Sequence, residues 1–329
     1  MSAHNIHRGV SLYSYQEEYY HGKMKLEDCV REVAATGAEG IEVISEMMLP
    51  GFPNYSDEFY KNWHKLMGAY GTTPVCHDMF LDTWLYRNRK LTDAECVESI
   101  KKDIKHANRL GCKVIRIICT TPPEILAQCA SYAEEHDVKL LLEVHAPFHF
   151  GHEWILHHYE VYQKTGSKAL GFMPDFGMMC KKFPRIIWER NIRDGATEKL
   201  VRYMNEVYDI HEGLEALPET VKRMGGNQVD LAMANAMSLG LFRWTEPKEI
   251  LPFMDYIHHF HGKFYEMLED GTEYSIPYGE IIPVLIEAGF NGYIDSEYEG
   301  NRSIHDVFEV DSVEQVRRHQ KMLQGLLGR

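Results

Sequence analysis

Short apolar runs without helical period alternate along most of this chain with longer segments of helical period, separated by polar loops and glycines. Runs at residues 10–13, 40–44, 74–78, 113–119, 139–145, 169–176, 255–263 and 293–297 read as strands. Helix patterns lie between them at 26–36, 57–70, 92–110, 153–164 and 280–288. Thr92 and Glu95 are spaced as a capping box, and Pro122 and Pro123 suit the first turn of a further helix. Residues 184–252 break the alternation. They are mostly helical, interrupted at Gly225 and Gly226, and longer than one crossover needs. The closing segment, residues 312–329, places Val316, Met322 and Leu326 among Arg and Gln as an amphipathic helix.

Eight strand–helix units predict an α/β fold, a (β/α)8 TIM barrel formed as one domain over residues 1–329. No Gly-x-Gly-x-x-Gly follows the first strand, which disfavours a dinucleotide-binding fold. The excursion at 184–252 is expected to decorate the barrel, as a cover for its mouth or as an interface.

Charge narrows the partners. With 35 Lys plus Arg against 49 Asp plus Glu, the net charge of −14 opposes nucleic acid and anionic membranes. No stretch approaches the roughly 20 apolar residues of a spanning helix, and the start lacks a signal-peptide core, so a cytoplasmic protein is expected. Seven cysteines without a Cys-x-x-Cys pair argue for reduced thiols and against a thiolate zinc site.

The chemistry gathers at strand ends, where a barrel of this kind places its active site. The third strand ends in His77 and Asp78, the fifth in Glu143 and His145, and the sixth supplies Asp175; the seventh carries His259 and His261, and the eighth Glu297. Strand alternation sets Glu143 and His145 on one face, roughly 7 Å apart, as half of either a metal site or an acid/base site. Burying Glu143, Asp175 and Glu297 together would be very costly without a counter-charge, and a divalent cation removes that cost. Three carboxylates with one imidazole suit Mn²⁺, and less often Mg²⁺, Co²⁺ or Zn²⁺. His149, His152, His157 and His158 also cluster, but two sit in a loop and two are adjacent on a helix, so they are expected at the surface.

From Gly-Val-Ser-Leu-Tyr-Ser at residue 9 to Gly-Tyr-Ile-Asp-Ser-Glu-Tyr-Glu-Gly at residue 300, the chain resembles the xylose isomerase-like barrels. These include sugar isomerases, ketose 3-epimerases, inosose dehydratases and endonuclease IV. The resemblance places metal ligands on Glu143, Asp175, His261 and Glu297, and His261-Gly262-Lys263 matches the family's His-x-Lys step, although Phe264 replaces the usual Asp or Asn. Met178 stands where the endonuclease branch is expected to carry a histidine. Glu-Val-His in the fifth strand, the Tyr-rich segment 12–20 and the Glu-Tyr-Glu-Gly ending resemble the larger subunit of bacterial C-glycoside deglycosidases.

That narrower resemblance implies a metal-dependent lyase that cleaves the carbon–carbon bond of 3-oxo-C-glycosides, with a smaller β-sandwich subunit as partner. The alternative is a sugar isomerase or 3-epimerase that shares the first half of the mechanism through an enediolate. His145 is the candidate base, being a histidine beside the metal ligand. His77, His259, Tyr13 and Trp84 are candidate substrate contacts.

Overall fold

The computed structural model describes residues 5–301 and 311–328. Eight parallel strands run in the order β6-β5-β4-β3-β2-β1-β8-β7. They are β1 Asn5–Ser11, β2 Gly40–Ile44, β3 Thr73–Met79, β4 Val114–Ile117, β5 Lys139–Val144, β6 Leu170–Pro174, β7 His259–Phe264 and β8 Asn291–Tyr298. Parallel bridges Phe172 to Ile257 and Asp175 to His261 join β6 to β7 and close the barrel. Ile115, Ile117, Leu140, Leu142 and Val144 are almost wholly shielded from solvent in the core that includes the surrounding helices. Each β4 or β5 strand therefore reads as a nearly continuous apolar run.

The helices start and stop where local chemistry dictates. Thr92 Oγ1 accepts from Glu95 N–H and the Glu95 carboxylate accepts from Thr92 N–H, so the predicted capping box begins helix Asp93–Leu110. That helix ends at Gly111, whose φ of 92° is open to glycine at little steric cost.

Most strand boundaries shift by one or two residues from the sequence expectation, and the largest shifts are in β1 and β7. β1 starts earlier, at Asn5, because its polar Arg8 bonds to Gln320 of the last helix at 2.9 Å. Leu12–Tyr15 then turns as a 3₁₀ helix instead of continuing the strand. β7 starts at His259, since Pro247–Tyr256 forms a 3₁₀ run that includes Asp255.

The excursion forms helices Arg185–Arg193, Glu198–Ile210, Leu217–Arg223 and Gln228–Ser238 between β6 and β7, with an apolar core of their own around Met204, Tyr208, Val221 and Met233. Helix Ser312–Leu327 packs on the barrel's exterior and pins β1 to β8: Gln320 Nε2 donates to Gly9 C=O and to Ser296 Oγ, each at 2.7 Å. Among the described residues, no helix is long and apolar enough to cross a membrane.

Candidate metal centre

Strand alternation lines the interior with a chain of acids. Glu42 of β2, Asp78 of β3, Glu143 of β5, Asp295 and Glu297 of β8, and Asp175 just after β6 are all buried. The permanent cations buried among them are Arg116 of β4 and Lys263 of β7. Such an excess of buried carboxylate is stable only with further positive charge or with protons.

His261 stands at the centre. Its Nδ1 lies 2.9 Å from Glu143 Oε1, 3.3 Å from Glu297 Oε2 and 3.8 Å from Asp175 Oδ2. Its Nε2 reaches Glu42 at 3.1 Å. Burial would lower the imidazole's affinity for a proton, but the charges of Glu297 and Glu42 raise it well above the ordinary histidine value. Burial likewise pushes the Glu297 carboxyl up to about 7, with His261 and Lys263 pulling the other way. Glu143 is held well below the usual range: burial opposes this, and Arg116 with His261 overcomes it.

Asp175 is aimed by its own backbone. Its Oδ1 accepts from Gly177 N–H at 2.5 Å, which turns Oδ2 inward toward Lys263 Nζ at 3.1 Å. A Cβ on residue 177 would come within 2.8 Å of Oδ1, so glycine permits this close approach. Lys263 Nζ also lies 2.9 Å from Glu297 Oε2 and 3.2 Å from Glu299 Oε2.

Glu143, Asp175, His261 and Glu297 each offer one ligand atom, all within 4.8 Å of one another. Asp175 Oδ2 and Glu297 Oε2 are buried and accept no well-formed hydrogen bond, despite their distance from Lys263. Two orphaned carboxylate oxygens beside a carboxylate and an imidazole fit a hard divalent cation. The four ligands expected from the sequence therefore do converge.

The other expected residues divide. Tyr13 reaches the cluster, with its hydroxyl donating to Glu299 Oε1 at 3.1 Å. His145, just past β5, is half-buried, and its Nδ1 lies 2.5 Å from the carbonyl oxygen of Ala146. A carbonyl only accepts, so Nδ1 carries the proton of that contact and Nε2 is the nitrogen left to exchange a proton. Glu299 is held below the ordinary carboxylate range, against burial, by Lys263 and then by His145.

His77, His259 and Trp84 stand apart from the four-residue cluster. His77 points out through the wall, where its Nδ1 meets Ser45 Oγ and its Nε2 meets Asp103 Oδ1, each at 3.1 Å. Asp78 has the inward parity in β3. His259 faces inward but below the ligands, bonded through Nε2 to Asp295 Oδ2 at 2.8 Å and only 1% exposed. Trp84 is 62% exposed on the loop after β3, with Lys90 Nζ over its ring. The His149–His158 group also stays apart: His157 pairs with Glu124, while His158 bonds to backbone carbonyls.

Sequence reasoning passed over Glu42, Arg116, Asp295 and Glu299 as site residues. The signal existed for two of them, because a charge in Gly-Ile-Glu-Val-Ile or Val-Ile-Arg-Ile interrupts an otherwise apolar buried strand. A cavity of about 880 Å³ opens at the opposite, amino end of the strands and is lined by Val75, Val114, Lys139, His258 and His259. It belongs to the barrel floor, beneath the ligand cluster.

Residues 30–326 match the family model for the xylose isomerase-like TIM barrel. The chain belongs to that family. Within it, the C-glycoside deglycosidase alpha subunit of Arthrobacter globiformis is 32% identical over 308 residues, which cover 89% of this chain and 84% of the relative. The 3'-dehydrocarminate deglycosidase alpha subunit of a Microbacterium species is 28% identical, covering 89% and 88%. A sugar phosphate isomerase/epimerase structure from Parabacteroides distasonis superposes with a TM-score of 0.57 at 13% identity, covering 98% of this chain and 94% of that one. That likeness shows the fold. Relatives in this xylose isomerase-like family thus carry enzymatic names, and this chain places an acidic, histidine-centred cluster at the carboxyl ends of its strands.

Proposed function

We propose that this chain is the catalytic, larger subunit of a C-glycoside deglycosidase, a metal-dependent lyase acting on 3-oxo-C-glycosides. The observation that carries the choice of reaction is its similarity, over nine-tenths of its length, to two alpha subunits named for deglycosidation. The geometry supplies the parts that such a reaction needs.

Glu143, Asp175, His261 and Glu297 would hold the cation, with Mn²⁺ best suited to the donor set. Bound there, a divalent ion supplies Lewis acidity toward the sugar's C3 carbonyl. His145 Nε2 takes the proton from sugar C2, because its other nitrogen is committed to Ala146 C=O. The electron pair released at C2 forms the C1–C2 double bond as the C1–aglycone bond breaks, and the aglycone carbon gains one proton. No co-reactant is consumed. Lys263 keeps Asp175, Glu297 and Glu299 from repelling one another, and Tyr13 fixes the free edge of Glu299. The reading includes a smaller β-sandwich partner subunit, in keeping with relatives named alpha subunits, and a cytoplasmic location.

Purified chain, alone and with its small partner, should release aglycone from a 3-oxo-C-glucoside when Mn²⁺ is supplied. His145→Ala should reduce release by about 10²- to 10⁴-fold, the usual worth of a positioned base. Undiminished release would remove His145 from the mechanism. Conversion of free ketohexoses without aglycone release would replace the lyase reading by an epimerase.

A further inference from the structure

Arg116 is an unusual residue for a buried strand. It is 4% exposed, and its Nε stands 3.5 Å from Asp78 Oδ1 and 3.9 Å from Glu143 Oε2. These are ion-pair distances without hydrogen-bond geometry: neither Nε nor Nη1 has a hydrogen-bond partner among the described residues. Two buried N–H donors on a permanent cation are therefore unspent, at a cost of roughly 1–3 kcal/mol for each group so stranded. Lys263, the other buried cation, is instead surrounded by three carboxylates.

The surroundings indicate what those donors await. The guanidinium carbon lies 4.7 Å from the centroid of the Phe80 ring. Phe80 is 40% exposed and, with Phe52, Tyr55, Leu85, His77 and Asp103, lines a cavity of about 330 Å³ whose wall does not include Arg116. Arg116 thus stands between the candidate metal ligand Glu143 and the partly exposed ring of Phe80. A flat ring bearing an oxygen suits this position: the ring stacks against Phe80 and the fork of Arg116 takes the oxygen.

Resting on the deglycosidase reading above, we infer that Arg116 holds the oxygen of a phenolic leaving group, the hydroxyl beside the glycosylated ring carbon. The chemistry gives this contact a purpose. When that ring carbon is protonated, the hydroxyl gives up its own proton and the ring becomes a dienone. As the bond to the sugar breaks, its electron pair returns to the ring and the oxygen becomes phenolate. The displaced proton then returns to the phenolate, so protons and electrons balance. Arg116 meets the negative charge at the atom where it arises, in a site that excludes water.

The test uses wild-type protein, Arg116→Gln and Arg116→Lys, each with the partner subunit, after checking that metal content and melting temperature match. Two 3-oxo-C-glucosides are compared, one with the hydroxyl beside the glycosylated carbon and one with that hydroxyl methylated. Isothermal titration of the two free aglycones gives a second readout that needs no turnover. Wild type should favour the hydroxylated compound in kcat/KM and should bind its aglycone at least tenfold more tightly. Arg116→Gln should collapse that preference by about tenfold to a hundredfold, as loss of a charged hydrogen bond requires. Arg116→Lys, a point charge without the fork, should keep part of it. An equal loss on both substrates would reduce Arg116 to a structural counter-charge, and equal binding of the two aglycones by wild type would overturn the inference without any variant. Absence of release by wild type would remove the lyase reading itself, while the binding comparison would still decide whether a phenolic oxygen is held.

Discussion

Removing and restoring the metal should change the protein's stability in a way that identifies the ligands. A cation that binds only the folded chain stabilises it by about 4 kcal/mol at a thousandfold excess over Kd. Unfolding entropy of about 2.1 cal/mol/K per residue, over 329 residues, makes that roughly a 6 °C rise in Tm. Glu297→Gln separates two effects. Burial already pushes the Glu297 carboxyl up to about 7, so removing its charge relieves crowding with Asp175 and Glu299, and the chelated variant should melt no lower than chelated wild type. Its response to Mn²⁺ should nevertheless fall to under 2 °C at the same concentration. The assay is differential scanning fluorimetry of chelated protein over a Mn²⁺ series, with Mg²⁺ and Zn²⁺ in parallel. Equal metal-induced shifts in wild type and Glu297→Gln would refute the ligand assignment.

Three further outcomes follow from particular contacts. Lys263→Met strands three carboxylates at 2.9–3.2 Å from the lost charge and should cost about 3–5 kcal/mol in denaturant unfolding of chelated protein, with Mn²⁺ recovering part of it. Gly177→Ala places a Cβ within 2.8 Å of Asp175 Oδ1 and should weaken Mn²⁺ affinity about tenfold by titration calorimetry; unchanged affinity would mean that Asp175 is not held by this turn. His319 is buried against Phe264, and burial pushes its imidazole down to about 3, below the unfolded value near 6.5. Its contribution is therefore complete above about pH 6.5 and is lost as pH falls toward 3, so His319→Asn should lose about 3 kcal/mol less than wild type between pH 7 and pH 4 in urea titrations.

Much of this was legible because parallel barrel strands are buried on both faces and their helices carry caps. The positions of β2, β3 and β5 followed from apolar runs between such helices. Alternation along β5, β7 and β8 also brought Glu143, His261 and Glu297 to one point. Alternation gives parity but not its sign or depth. His77 and Asp78 end the same strand, and only packing against Ser45 and Asp103 shows that the histidine faces outward. His259 shares parity with His261, yet sits below it on Asp295, where the barrel is closed. Arg116 and Glu42 stand out in the sequence as charges inside apolar strands, but their roles were not legible, because their neighbours in space come from strands distant in sequence.

Anomalous diffraction from crystals soaked in Mn²⁺ would locate the cation without reference to activity. One strong peak per chain is expected, bounded by Glu143, Asp175, His261 and Glu297. A peak seated instead among Glu42, His259 and Asp295, or among Glu42, Asp78 and His261, would contradict this assignment, as would the absence of any peak in the barrel.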